Sequence, residues 1–303
     1  MNLSGRGVGL SVFASVLFSL VPGYVQWLAP LDGIQVFAQR VLWSVPAILL
    51  LFVATRQWRL LAGALVRLRR EPLLLAALPV AAVLIGVQWG VFVWAPLAGH
   101  MLDVSMGYFL LPLAMVLVGR IFYGERLRPL IKVAVFCALL GVVHELWRSQ
   151  AFSWVTLVTV LGYPPYFMLR RWMKMDALSG FILEMLVLSP IAIYLIIARG
   201  PVDAFQSAPQ LWWLLPGLGM LGALAFAAMI ASSRLLPLSL FGILSYVEPV
   251  LLFSVSLVFL GETFDMGQLF TYLPIWLAVL LVAWDSARLL SKQRRGIASN
   301  PKG

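Results

Sequence analysis

Charge is scarce in this 303-residue chain: 11% of residues are Asp, Glu, Lys or Arg, against 62% hydrophobic. Soluble domains run nearer a quarter charged and half apolar. The chain cannot hide that much apolar surface from water, so lipid is its solvent. Cysteine is almost missing as well. The lone Cys137 excludes an internal disulfide and any multi-cysteine metal site, which leaves it as a small packing residue. Histidine is limited to His100 and His144, which lack metal-ligand spacing and read as satisfied polar groups. A Walker motif, HExxH, GxSxG and a dinucleotide fingerprint are all absent. No cofactor or metal is implied, and without an ATP site any pumping has to draw on gradients.

What charge there is leans basic, 22 Lys plus Arg against 12 Asp plus Glu, for a net charge of +10. It lies in short clusters between apolar runs, which points to a membrane surface and away from nucleic acid. A membrane-crossing helix needs about 20 mostly apolar residues. Ten such runs are present, at 7–28, 34–53, 73–94, 101–119, 130–146, 153–169, 180–197, 211–232, 236–260 and 269–285. The first is too long for the apolar stretch of a signal peptide, so it counts as a membrane helix. Connections are short, and no segment is long enough for a soluble domain.

With the N-terminus placed in the cytoplasm, nearly all basic residues fall on that side: Arg6, the clusters within 56–70, 120–132 and 170–174, Arg234, and the basic tail. Only Arg148 and Arg199 fall opposite, and Arg40 lies inside a run. Positive charge marks the cytoplasmic side, so this division supports ten spans with both termini inside. The chain also repeats itself. Ser105-Met106-Gly107-Tyr108-Phe109-Leu110-Leu111-Pro112 parallels Gly242-Ile243-Leu244-Ser245-Tyr246-Val247-Glu248-Pro249, and each Pro precedes a Gly-Glu pair, Gly124-Glu125 and Gly261-Glu262. A weaker echo links Pro22-Gly23-Tyr24 to Pro164-Pro165-Tyr166. The unit is five helices. Five is odd, so the second copy enters from the opposite side, giving the inverted repeat common among secondary transporters. The expected organisation is a first repeat over 1–147, a second over 148–288 and a basic cytoplasmic tail over 289–303.

These stretches resemble the drug/metabolite transporter superfamily in its EamA form. Within it the chain looks like the RarD-type permeases, on Gln39-Arg40-Val41-Leu42-Trp43-Ser44, Arg56-Gln57-Trp58, His100-Met101-Leu102-Asp103, Gly107-Tyr108-Phe109 and Phe181-Ile182-Leu183-Glu184. The resemblance covers nearly the whole chain. It implies an all-α, ten-helix inverted repeat in a bacterial inner membrane, acting as a permease or exporter. The chain departs from the family pattern at Leu111, where a polar residue, commonly Asn, is usual; at Glu248, where a small residue is usual; and near Ser19, where an aromatic is usual.

Ionisable side chains inside a span cost at least about 2.5–3.5 kcal/mol at mid-depth, so they are candidate functional residues. Arg40 lies about 9 Å into the second span and Asp103 opens the fourth on the same side. They are expected to pair, with Arg40 either presenting its fork of donors to a substrate or fixing two helices. Glu248, about 18 Å into the ninth span, is the deepest acid. Low dielectric disfavours a charged carboxylate, which suits proton coupling; a protonated acid bonded to a carbonyl is the structural alternative. Glu184, about 6 Å into the seventh span, is either functional or a snorkelling acid near a helix N-terminus. Glu145 with Arg148 and Asp285 with Arg288 read as i,i+3 anchors at helix ends. Pro112 and Pro249 each remove a backbone donor and are candidate gating kinks. Tyr108, Tyr246, Trp43, Gln88 and Trp89 are candidate pocket walls, each with packing as its alternative. The Gly-Glu pairs read as turns, not ligands.

The expected function is secondary transport of small organic molecules by alternating access, with protons as a candidate coupling ion. The partners are the substrate and the bilayer, without nucleic acid, and no oligomeric state follows from the residues. A non-transporting membrane scaffold on the same fold is the alternative. An intramembrane enzyme is disfavoured, because convergent acid–base pairs at mid-depth are lacking.

Overall fold

The computed structural model describes residues 4–97, 100–150, 152–200, 202–251 and 266–299, and among them it contains helices and turns but no strand. In chain order the helices are α1 (Gly5–Gln26), α2 (Gly33–Thr55), α3 (Trp58–Arg70), α4 (Pro72–Leu97), α5 (Met101–Phe122), α6 (Pro129–Ser149), α7 (Trp154–Met173), α8 (Ala177–Arg199), α9 (Val202–Ser207), α10 (Leu211–Leu235), α11 (Leu238–Leu244) and α12 (Met266–Ser299). Eight of them, α1, α2, α4, α5, α6, α8, α10 and α12, are long and apolar enough to cross a membrane. Helices satisfy their own backbone where lipid offers no partner. The chain is an all-α polytopic membrane protein.

Two of the ten expected spans look different. The run at 153–169 forms α7, whose 20 residues reach about 30 Å but carry a buried polar face of Thr156, Thr159, Tyr163, Tyr166 and Arg170. Facing protein rather than lipid removes the need for an apolar surface. The run at 236–260 starts as α11, turns at Ser245 and Tyr246, and resumes as helix over 247–251. Its end, together with Gly261 and Glu262, lies outside the described residues, as does Lys302. α12 continues as helix through most of the expected basic tail.

Local chemistry sets several helix ends. The Asp32 carboxylate accepts from the Gln35 amide at 2.8 Å while the Gln35 side chain accepts from the Asp32 amide at 2.9 Å, a reciprocal cap at the start of α2. Ser153 and Asp176 cap α7 and α8. Gly124, with φ of +60°, leads the chain away from α5, the turn role expected of it. An unexpected helix is α3, where the sequence had suggested a basic loop. Its 13 residues are too short to cross, and Trp58, Leu60, Leu65 and Val66 stay exposed beside a last turn holding Arg67, Arg69 and Arg70. That composition suits a helix lying at the membrane surface. At its end the hydrogen-bonding Arg67 guanidinium holds the Glu71 carboxyl below the usual carboxylate range.

Helices pack antiparallel on later ones. α2 runs against α8, with Asp32 at the start of α2 paired to Arg199 at the end of α8 (2.8 Å). α5 runs against α11: Glu125, just past α5, accepts from the amides of Leu238 (2.7 Å) and Ser239 (2.9 Å), and Tyr246 donates to the Phe109 carbonyl at 2.8 Å. α6 runs against α12, joined by Arg128 to Asp285 (2.8 Å) at one end and His144 to Thr271 (2.9 Å) towards the other. α1 lies on α10, and α4 on α7. A continuous apolar core fills the spaces between, with Phe52, Ile85, Met115, Phe181 and Phe226 among its buried members.

Candidate functional site

Four helices bring polar side chains to the middle of the molecule. On α2, the Arg40 guanidinium lies 4.2 Å from the centre of the Trp89 ring on α4, a cation–π contact of about 0.5–2 kcal/mol. Trp89 is itself held edge-on by Phe226 (5.3 Å) and Phe181 (6.4 Å). Gly222 on α10 leaves room for this arrangement, since a Cβ there would come within 3.2 Å of Arg40 Nε. Small residues permit such close approach between membrane helices. Arg40 Nε is buried without a hydrogen-bond partner. Tyr108 on α5 and Tyr163 on α7 share a hydrogen bond at 3.1 Å. Tyr163, Tyr108 and Glu248 lie within electrostatic reach of Arg40. Arg40, Tyr108 and Glu248 each keep partial accessibility despite lying well inside their helical runs.

Arg40, Trp89, Tyr108 and Glu248 are therefore brought together, and the remaining candidates are distributed elsewhere. The expected Arg40–Asp103 pair is not formed. Asp103 bonds His100 at 2.7 Å, and its carbonyl accepts from Thr156 at 2.9 Å, because one turn of helix is nearer than a neighbouring span. Asp285 likewise pairs with Arg128 across to α6, not with Arg288. Glu145 does pair with Arg148, at 3.2 Å, and also accepts from Thr271 at 2.7 Å. Trp43 packs with the group around Leu214 and Leu218, where Gly219 lies against its backbone. Gln88 donates to the Val158 carbonyl at 2.9 Å and borders an apolar groove of about 340 Å³ between α4 and α7. Tyr246 is fully buried at the α5–α11 crossing. α5 stays continuous through Pro112, whereas the chain breaks its helix at Ser245 and Tyr246, just before Pro249.

Glu184 does not snorkel. It is fully buried, 3.3 Å from an equally buried Arg170, and accepts from Tyr166 at 3.0 Å. Arg170 also donates to the carbonyls of Asp176 and Ala177, and its guanidinium fills the space a side chain at Gly180 would take. Around this cluster an arginine-rich end is drawn together. Arg171 donates to the Ser233 and Leu236 carbonyls, both at 2.6 Å, Arg234 to Met175, and Arg67 to Met173 at 3.2 Å. Sequence reasoning missed Tyr163 and Arg170. Tyr163 stands directly before Pro164-Pro165-Tyr166, the stretch read only as a weak repeat, and was passed over.

Among the described residues no group of His, Cys, Asp and Glu is arranged to hold a metal ion. The arrangement suits binding: a cation fixed on a ring, two phenols, and a carboxylate beyond them.

No protein-family model matches the sequence. Full-length relatives do. The chain is 64% identical over 299 residues to the chloramphenicol-sensitive protein RarD of Pseudomonas aeruginosa, spanning 98% of this chain and 100% of that protein. It is 35% identical to an uncharacterized transporter of Haemophilus influenzae, over 97% and 98% of the two chains. It is 31% identical to Protein RarD of Salmonella typhimurium, over 93% and 95%. A crystal structure of a protein 16% identical overlays 93% of this chain and 98% of its own with a TM-score of 0.68, so the fold is shared by a much more distant sequence.

Proposed function

Because the chain belongs to the RarD family of membrane transporters, we propose that it moves small organic molecules through the polar centre formed by Arg40, Trp89, Tyr108, Tyr163 and Glu248, by alternating access and with Glu248 as proton carrier. One observation carries this reading: charged and phenolic side chains from separate helices converge deep among the spans and stay partly accessible. Ionisable groups at such depth are expensive and mark substrate or ion pathways.

The reading includes ten spans in two inverted five-helix halves, 1–147 and 148–288. In its support, α2, α5 and α6 each lie antiparallel to α8, α11 and α12, their counterparts in the repeat. Phe109 and Tyr246, which bond each other, are 137 positions apart, the offset of the repeat itself. We place the protein in a bacterial inner membrane with the arginine-rich end and both termini cytoplasmic. The network of Arg67, Arg171, Arg234 and Glu125 then seals the cytoplasmic side in this conformation. Transport, not chemical conversion, is the activity inferred.

Reconstituted vesicles under an imposed pH gradient, challenged with a metabolite and drug panel, test this. Flux of at least one compound should fall tenfold or more in Arg40→Lys, because a point charge cannot replace the planar fork. Normal flux of every transported compound in that variant, at normal expression, removes Arg40 from the site.

A further inference from the structure

Arg40 and Glu248 carry opposite charges and feel one another, yet among the described residues they form no ion pair, and neither side chain has a hydrogen-bond partner. Arg40 is held back on Trp89, while Glu248 sits beyond the break in its helix. Two opposite charges kept apart on different helices, with phenols beside them, leave a place for a group that completes the pairing. Resting on the transport reading above, we propose that the centre binds an organic carboxylate together with one proton, the carboxylate on the Arg40 fork and the proton on Glu248.

Charge balance decides the stoichiometry. With Glu248 ionised, the empty centre holds one guanidinium and one carboxylate and is neutral. A substrate carboxylate alone would leave it with one net negative charge in a low dielectric, which is strongly disfavoured. If Glu248 takes up a proton from water as the anion binds, the loaded centre is neutral again. Anion and proton then bind cooperatively and cross together without net charge. A cationic substrate would instead face Arg40 and compete with the proton. Arg40 from α2 is the charged side chain that acts on Glu248, and Glu248 in turn lies within electrostatic reach of the phenols of Tyr108 from α5 and Tyr163 from α7. Phenols stay protonated through neutrality, so Glu248 is the member of this group that can take up the proton. An aryl carboxylate fits best, because the Trp89, Tyr108 and Phe92 rings are at hand, with Phe92 meeting Tyr108 edge-on at 5.8 Å.

Benzoate, benzamide and benzylamine are the probes, each titrated against the full-length protein in lipid nanodiscs between about pH 6 and 8, where benzoate stays ionised. Benzoate should bind, and tighten by up to about tenfold per unit fall in pH, as linkage to one proton requires. Glu248→Gln should bind benzoate with that pH dependence abolished. Arg40→Gln should lose benzoate by more than tenfold, with folding checked by circular dichroism and melting temperature. Should Arg40→Gln fail to fold, Arg40→Lys, which keeps the charge, gives the same reading through an intermediate loss. Absence of benzoate binding at millimolar concentration overturns the proposal, as does preference for benzylamine, a flat pH profile in the unmodified protein, or indifference to Arg40. The transport reading fails separately. If another compound moves into vesicles and its flux depends on Arg40, the central site stands and only the carboxylate class falls. If all flux is untouched by Arg40, both fall.

Discussion

Arg170 and Arg40 face the same difficulty, a permanent charge away from water, and resolve it differently. Both keep a buried Nε without a hydrogen-bond partner, but Arg170, 1% exposed, is answered by the Glu184 carboxylate and two carbonyls, whereas Arg40 rests on a ring. The first is architecture and the second is readiness to bind. Removing one member of a buried pair strands the other and costs about 3–5 kcal/mol, while replacing both with apolar residues is often neutral or better. Arg170→Met should therefore lower the stability of the purified protein by about that amount in thermal or denaturant unfolding, and Arg170→Met with Glu184→Met should restore most of it. A double variant as weak as the single one would mean that the cluster does more than neutralise itself. The sequence made Glu184 legible as a candidate because an acid inside an apolar run stands out. It hid Arg170, which closes a run beside Arg171 and looks like any charge at a membrane surface. Asp103 and Asp285 were misassigned for a related reason: sequence spacing reveals neighbours along one helix but not the partner from another span.

At the scale of elements, the run that begins with α11 is the least self-sufficient. α11 has seven residues before its break, and its N-terminus is satisfied by a carboxylate from the other half of the chain. Glu125 accepts from two amides and from the Ser239 hydroxyl at 2.5 Å, an acid at the positive end of a helix. Hydrogen bonds to charged groups are worth about 1.5–3 kcal/mol. Glu125→Ala should destabilise the protein by roughly that much and speed amide hydrogen exchange over 238–244, and Glu125→Gln should recover part of both effects. Unchanged exchange there would remove the cap from the account. The sequence marked Gly124-Glu125 as a turn, and Gly124 is one; the carboxylate's reach to residue 238 depends on how α5 and α11 lie together. The same limit applies to the two prolines, alike in sequence context, of which only Pro249 follows a broken helix. The signal for α3 was available: Trp58, Leu60, Leu61, Leu65 and Leu68 interleave with arginines at helical spacing, and reading 56–70 only as a basic loop passed over it.

For the whole molecule, the period of the apolar runs made the spans readable, because lipid demands long uniform segments. The repeat pointed to their relative direction, because five crossings per unit, as expected from the sequence, would leave the chain on the opposite side. What no periodicity contains is which helices touch. Arg128 pairs with Asp285, and His144 with Thr271, so α6 and α12 cross in opposite senses. The early end of α6 and the late end of α12 must then share a side of the membrane. We propose that this side is the cytoplasmic one, because it holds the excess of arginine. Cysteines placed in a Cys137→Ser background report this directly. Arg126 and Ala287 are exposed near one end of the pair and Gln150 near the other, with the 21 residues of α6, about 31 Å of helix, between them. In intact cells a membrane-impermeant maleimide should label Gln150→Cys and spare Arg126→Cys and Ala287→Cys, which should react once the membrane is opened. If Arg126→Cys and Ala287→Cys label from different sides, α6 and α12 do not cross as an antiparallel pair, the two halves are not inverted, and a centre shared between them loses the symmetry that would let it open to each side in turn.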